Sequence, residues 1–146
     1  MKILIIAPDA AYRSILKEHI SKRPEWFVSE VADIAAATLL LEKEKVDVIL
    51  LDLNLTDSFG LDTFTKIHEV AKETAIVIIS DIDDEEIAVK AIQAGATDYI
   101  FKVDMAHLTL ARIIRLAEAK CRFNAKWATL VPSVTTSAVP QQPQIL

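Results

Sequence analysis

Short apolar runs alternate along the chain with longer stretches in which apolar residues recur every three or four positions. Residues 3–6, Ile-Leu-Ile-Ile, are continuously apolar and give way to Ala7 and Pro8, the pattern of a strand buried on both faces. From 10 to 22, Ala11, Ile15, Leu16 and Ile20 are separated by polar residues, which predicts a helix that Pro24 stops. Residues 26–31 predict a second, more amphipathic strand, and 35–44, rich in alanine and leucine, a helix. The third and most apolar strand is expected over 46–51. The alternation continues with a helix over 61–71, a strand over 75–79, a helix over 85–94 and a strand over 98–101. Gly95 stands where a glycine commonly ends a helix. A last helix is predicted from about His107 to about Ala125, with Leu110, Ile113, Ile114, Ala117 and Cys121 on one face. Beyond Ala128 the chain has no formal charge and mixes Pro, Gln, Ser, Thr and Val, so 1–126 is expected to be one domain and 127–146 an unpacked tail or linker.

Five strand–helix units in strict alternation imply an α/β protein with a parallel sheet, helices on both faces and right-handed crossovers. In such sheets chemistry gathers at the carboxyl ends of the strands. The 146 residues suit one domain, and an apolar share of 52% with mean hydropathy +0.31 is enough for a true core. A formal net charge of −5 argues against direct binding of nucleic acid, which calls for a cationic surface. Cys121 is the single cysteine, which excludes an internal disulfide and a multi-cysteine metal site and fits a reducing compartment. No apolar run spans a bilayer, and the first residues lack a signal peptide's apolar region, so a soluble, cytoplasmic protein without membrane contact is expected.

The third strand delivers Asp52 directly after Val-Ile-Leu-Leu, the fourth ends near Ser80 and the fifth in Lys102. Singly, these read as a turn acid, a helix N-cap and a surface lysine. Together they place a carboxylate, a hydroxyl and an ammonium at three strand ends of one sheet. A carboxylate that accepts a phosphoryl group needs a donor and a cation for the developing oxygens, and these residues supply both. Other chemistry is poorly served. His19, His68 and His107 fall on three separate predicted helices without metal-ligand spacing. Gly60 and Gly95 are the only glycines, so no phosphate-cradling loop exists. The segment from Ala7 to Ala11 lacks the hydroxyls a flavin phosphate would need.

Two stretches carry a family resemblance: residues 46–62, VDVILLDLNLTDSFGLD, and residues 94–102, AGATDYIFK. In order and spacing they resemble the receiver domains of bacterial response regulators, and the likeness extends over roughly residues 2–120. The resemblance implies a flavodoxin-like, doubly wound (βα)5 fold with strand order 2-1-3-4-5. It makes Asp52 the phospho-acceptor, Ser80 and Lys102 the residues that stabilise the phosphoryl group, and Tyr99 the aromatic switch. It also makes Asp52 and the Asn54 backbone carbonyl ligands of Mg²⁺. The partners implied are a histidine kinase or phosphotransfer protein, with signalling through the last helix and a homodimer through the fourth helix, fifth strand and fifth helix.

The sequence departs from the family where the first strand ends. An acidic pair that holds Mg²⁺ is replaced by Ala7-Pro8, neither with a side-chain oxygen, so Mg²⁺ binding is expected to be weak or absent. Asp9 reaches a metal only if the loop turns there; its other reading is the N-cap of the helix beginning near Ala10. Asp81 stands where the family has a small residue, Thr56 replaces a loop proline, and Val103 replaces the proline after the lysine. The last helix carries Arg112, Arg115, Lys120, Arg122 and Lys126 against Glu118, read either as a solvated face or as a docking surface extended by Trp127 and Ile145-Leu146. Two functions are therefore weighed: a phosphoryl-accepting receiver, favoured by Asp52, Ser80, Tyr99 and Lys102, and a phosphorylation-independent pseudo-receiver that binds other proteins, favoured by Ala7-Pro8. An enzyme is not expected, since no acid–base or nucleophile pair remains once these residues are assigned.

Overall fold

The computed structural model describes residues 1–20, 23–107 and 109–130. Five strands, β1 (Lys2–Ile6), β2 (Phe27–Val31), β3 (Val48–Leu51), β4 (Ala75–Ser80) and β5 (Asp98–Phe101), form one parallel sheet in the order β2-β1-β3-β4-β5. The helices are α1 (Ala10–Ile20), α2 (Ile34–Lys43), α3 (Leu61–Val70), α4 (Glu85–Gln93) and α5 (Leu110–Leu130). The predicted class, strand order and alternation all hold.

Strand alternation explains the unbroken apolar runs. Ile3, Ile5, Val48, Leu50, Val77 and Ile79 pack with Leu16 and Ile20 of α1 and Leu110, Ile114 and Ala117 of α5. Their neighbours Leu4, Ile6, Ile49, Leu51, Ile76 and Ile78 pack on the other side with Ala37 of α2, Phe64 and Ile67 of α3 and Ala91 of α4. A central strand buried on both faces must be apolar at every position. Each such side chain contributes about 1.5–3 kcal/mol of burial, which anchors the ends of β3, β4 and β5 where the polar residues emerge. β2 is an edge strand, and accordingly more amphipathic: Phe27, its first residue, is exposed while Trp26 just before it is buried.

Local signals stop the helices where the chain predicts. Gly95 has φ +117°; its N–H donates to the Ile92 carbonyl and that of Ala96 to the Ala91 carbonyl, a paired closure of α4 that favours glycine. A Cβ at Gly95 would lie 3.1 Å from the His68 imidazole, so this end of α4 also admits α3 closely. The last helix differs from expectation at both ends. Lys102–His107 forms a 3-10 helix, and α5 begins only at Leu110, the first residue of the apolar face, with the Thr109 carbonyl accepting from Arg112 and Ile113. It then runs to Leu130, past the predicted end near Ala125, because no breaker occurs before Pro132. Residues 131–146, most of the expected tail and its Ile145-Leu146 end, lie outside the described residues.

Candidate functional site

Asp52 follows β3 directly, and its N–H continues the sheet by donating to the Ile6 carbonyl at 2.9 Å. Its side chain is buried, with 5% of the residue exposed, and both oxygens are engaged. Oδ1 accepts from the Asn54 N–H at 2.9 Å, and Oδ2 accepts from Lys102 Nζ at 2.8 Å. Lys102 comes from the first position after β5, two strands away. The ion pair fixes the orientation of the buried carboxylate through a charge-assisted hydrogen bond.

Between these two strands, β4 ends in Ser80, which is fully buried. Its Oγ accepts from the Ile82 N–H at 3.0 Å, leaving its own hydrogen to donate elsewhere. Tyr99 Oη donates to the Ile82 carbonyl at 3.3 Å, and the Tyr99 ring meets Phe101 edge-on at 5.5 Å. One residue, Ile82, therefore bonds both the Ser80 hydroxyl and the Tyr99 hydroxyl. Asp81 is exposed and touches the site only through a long 3.4 Å hydrogen bond from Asn54 Nδ2.

The end of β1 is built differently. Asp9 is exposed and caps α1: its Oδ1 accepts from the Ala11 N–H at 2.9 Å, and its carbonyl from the Arg13 N–H at 3.0 Å. Arg13 Nη1 donates to the Ala7 carbonyl at 2.6 Å while its Nε donates to Glu30 at 2.9 Å, and Lys17 adds a second pair to Glu30 at 3.3 Å. The hydrogen bond from Arg13 holds the Glu30 carboxyl below its usual range, with Lys17 assisting. Tyr12, in the first turn of α1, lays its ring 4.6 Å from Lys102 Nζ, a cation–π contact. Its hydroxyl is buried without a hydrogen-bond partner, and burial, followed by the charge of Asp52, pushes its pKa up to about 12. Sequence reasoning passed over Tyr12 and Arg13. The available signal was their place in the first turn of the helix that leaves β1, at the carboxyl end of the sheet.

Mg²⁺ asks for hard oxygens in near-octahedral order. Here Ala7 and Pro8 offer no side-chain oxygen, the Ala7 carbonyl is taken by Arg13, and Asp9 is committed to its cap. Among the described residues Asp52 is the one buried carboxylate, already paired with Lys102, beside the Asn54 carbonyl and an unpartnered Asn54 Oδ1. Among the described residues, no group of three His, Cys, Asp or Glu could hold a metal ion. These donors do not fit the family's Mg²⁺ site.

Other candidates stay structural. His19 bonds the Ile15 carbonyl at 2.8 Å, His68 stacks on Phe64 with centroids 5.2 Å apart, and His107 closes the 3-10 helix instead of opening α5. The Cys121 thiol donates to the Glu73 carbonyl, and burial raises its pKa. On α5, Arg112, Arg115, Lys120 and Arg122 are exposed, with Arg122 paired to Glu118 at 3.2 Å; the side chains of Lys126 and Trp127 lie outside the described set. Exposed apolar side chains include Val89 and Ile92 of α4 and Leu116 of α5. No described helix is long and apolar enough to cross a membrane.

Comparison with known proteins agrees with this fold. The model of the response regulator receiver domain matches residues 3–113. The sensory transduction protein LytR of Streptococcus agalactiae is 32% identical over 130 residues, which cover 82% of this chain and 51% of LytR. The nitrate/nitrite response regulator protein NarL of Escherichia coli K12 is 34% identical over 118 residues, covering 80% of this chain and 54% of NarL. The chain thus spans about half the length of these curated relatives. Among solved structures, the signal receiver domain of a Luxo repressor protein from Vibrio parahaemolyticus superposes with TM-score 0.75 at 23% identity, covering 86% of this chain and 95% of that one, a likeness of fold.

Proposed function

This chain belongs to the response regulator receiver family, and from that premise we propose that it accepts a phosphoryl group on Asp52 from a histidine kinase or phosphotransfer protein in the cytoplasm. The observation that carries this reading is the 2.8 Å contact between Lys102 Nζ and Asp52 Oδ2 beside the buried Ser80. In the transfer, an Asp52 oxygen bonds to phosphorus as the bond from phosphorus to the donor imidazole nitrogen breaks. The electron pair leaves with that nitrogen, and the new acyl phosphate carries three oxygens into the site. Lys102 offsets charge on these oxygens as they approach, and the free Ser80 hydrogen donates to one of them. No metal is assigned a step. The domain's work is signalling, not turnover.

The shared hold on Ile82 supports a relay. When Ser80 turns to a phosphoryl oxygen it releases the Ile82 N–H, and the loop that carries the Tyr99 partner shifts with it. Tyr99 then moves relative to α4, and the change reaches the surface of α4, β5 and α5, the place for a protein partner or a second copy. A second reading rests on one observation: Arg13 occupies the carbonyl of Ala7 at the position of the lost acid pair. A receiver so altered would bind partners through that surface without phosphorylation, with Lys102 and Asp52 permanently paired. Incubation with acetyl phosphate, followed by intact mass, separates the two readings. A phosphoryl adduct that Asp52→Asn abolishes supports the first; no adduct where an ordinary receiver is modified supports the second.

A further inference from the structure

Lys102 follows β5 directly and opens the 3-10 helix, so its backbone is placed while its long side chain is not. It is followed by Val103, which is 74% exposed and packs little against the site, and a lysine stem has four rotatable bonds to restrain. Its ammonium sits on Asp52 and is faced by the ring of Tyr12 at 4.6 Å. That ring is itself held on a fixed base: Asp9 caps the turn of α1 in which it stands, and the next residue, Arg13, is tied to both Ala7 and Glu30. We propose that Tyr12 is a positioning residue of this site, its ring face holding the Lys102 ammonium against Asp52. The inference rests on the reading of Asp52 as phosphoryl acceptor, and it assigns to an aromatic side chain of the protein the task of keeping the Lys102 ammonium in line.

The ring, not the hydroxyl, performs this task. Tyr12 Oη is buried and makes no hydrogen bond, so it contributes nothing to the grip. The attraction between an ammonium and an aromatic face needs only the ring quadrupole, which phenylalanine keeps and leucine lacks. Conversion of Tyr12 to Phe therefore preserves the geometry, whereas Leu fills similar space and releases the lysine.

The test uses the whole chain, with acetyl phosphate as donor and intact mass to follow the rate of the Asp52 adduct in wild type, Tyr12→Phe and Tyr12→Leu. In parallel, NMR reads the ring-current shift of the Lys102 ε-methylene protons, and thermal unfolding confirms that each variant is folded. The expected result is a wild-type rate and an upfield Lys102 shift in Tyr12→Phe, with a rate about 5- to 30-fold lower and the shift lost in Tyr12→Leu. A wild-type rate in Tyr12→Leu, or an equal loss in both variants, overturns the proposal. If wild type takes no adduct, the acceptor reading fails and the NMR arm alone decides. An upfield shift present in wild type and Tyr12→Phe and lost in Tyr12→Leu then upholds the ring contact, and its absence in wild type overturns it.

Discussion

The carboxyl end of the sheet has two halves with opposite chemistry. At β3, β4 and β5, a buried Asp52 bonds a half-buried Lys102, and the buried Ser80 ends the strand between them. At β1, the same end presents Ala7 and Pro8, a capping Asp9, and a guanidinium on the Ala7 carbonyl just past the strand. β1, β3 and β4 are all apolar strands buried in the sheet, so the two halves differ in the residues that follow these strands. If Asp52 is the acceptor, as proposed, the parts of a phosphoryl site are separable: Asp52, Ser80 and Lys102 stand on a scaffold whose β1 side carries Arg13 and the Tyr12 ring where the family has an acidic pair.

Restoring the missing half is the largest way to break this contrast. An Ala7→Asp, Pro8→Asp double variant should make phosphorylation from acetyl phosphate respond to Mg²⁺ by on the order of a hundredfold, while the wild-type rate changes little between Mg²⁺ and EDTA. Equal Mg²⁺ dependence in both proteins would show that other oxygens already serve the ion. Damage to the intact half comes next. Lys102→Ala leaves a buried carboxylate without its cation and should lower unfolding stability by about 1–3 kcal/mol, read from urea denaturation. The half-open position of Lys102, whose side chain is 26% exposed, keeps the cost at the lower end of buried-pair values.

A smaller change sharpens the role of the aromatic residue between the halves. Tyr12→Phe removes a buried hydroxyl that has no partner and should stabilise the fold by up to about 1 kcal/mol in the same urea experiment. The smallest effect concerns the anchor of Arg13. Glu30 has a folded-state pKa below its ordinary 4.5, so its contribution is present above that value and is lost as pH falls through the lower folded value. Wild type should therefore lose stability more steeply than Glu30→Gln as pH drops below about 4.5, and parallel curves would show that the pairing contributes nothing.

The fold was legible because its signals are redundant. Continuous apolar strands, periodic helices and Gly95 all indicate the same topology, and each is a local property of the chain. The cluster of Asp52, Ser80 and Lys102 was legible for the same reason, since the position of a residue at a strand's end follows from the strand itself. Tyr12 and Arg13 were not. Which way the first turn of a helix points depends on its packing against the sheet, and no local pattern states that angle. The start of α5 was misjudged because His107 belongs to a 3-10 segment whose residues show no distinct period. Asp9 illustrates the middle case: its composition allowed a metal ligand or a cap, and the backbone bonds of Ala11 and Arg13 assign it to the cap.

The most direct test of the central claim is intact mass after incubation of wild type and Asp52→Asn with acetyl phosphate, once with Mg²⁺ and once with EDTA. A phosphoryl adduct on wild type in both conditions, and none on Asp52→Asn, is the predicted result. No adduct on wild type under conditions that modify an ordinary receiver would contradict it and leave a protein-binding module as the remaining account.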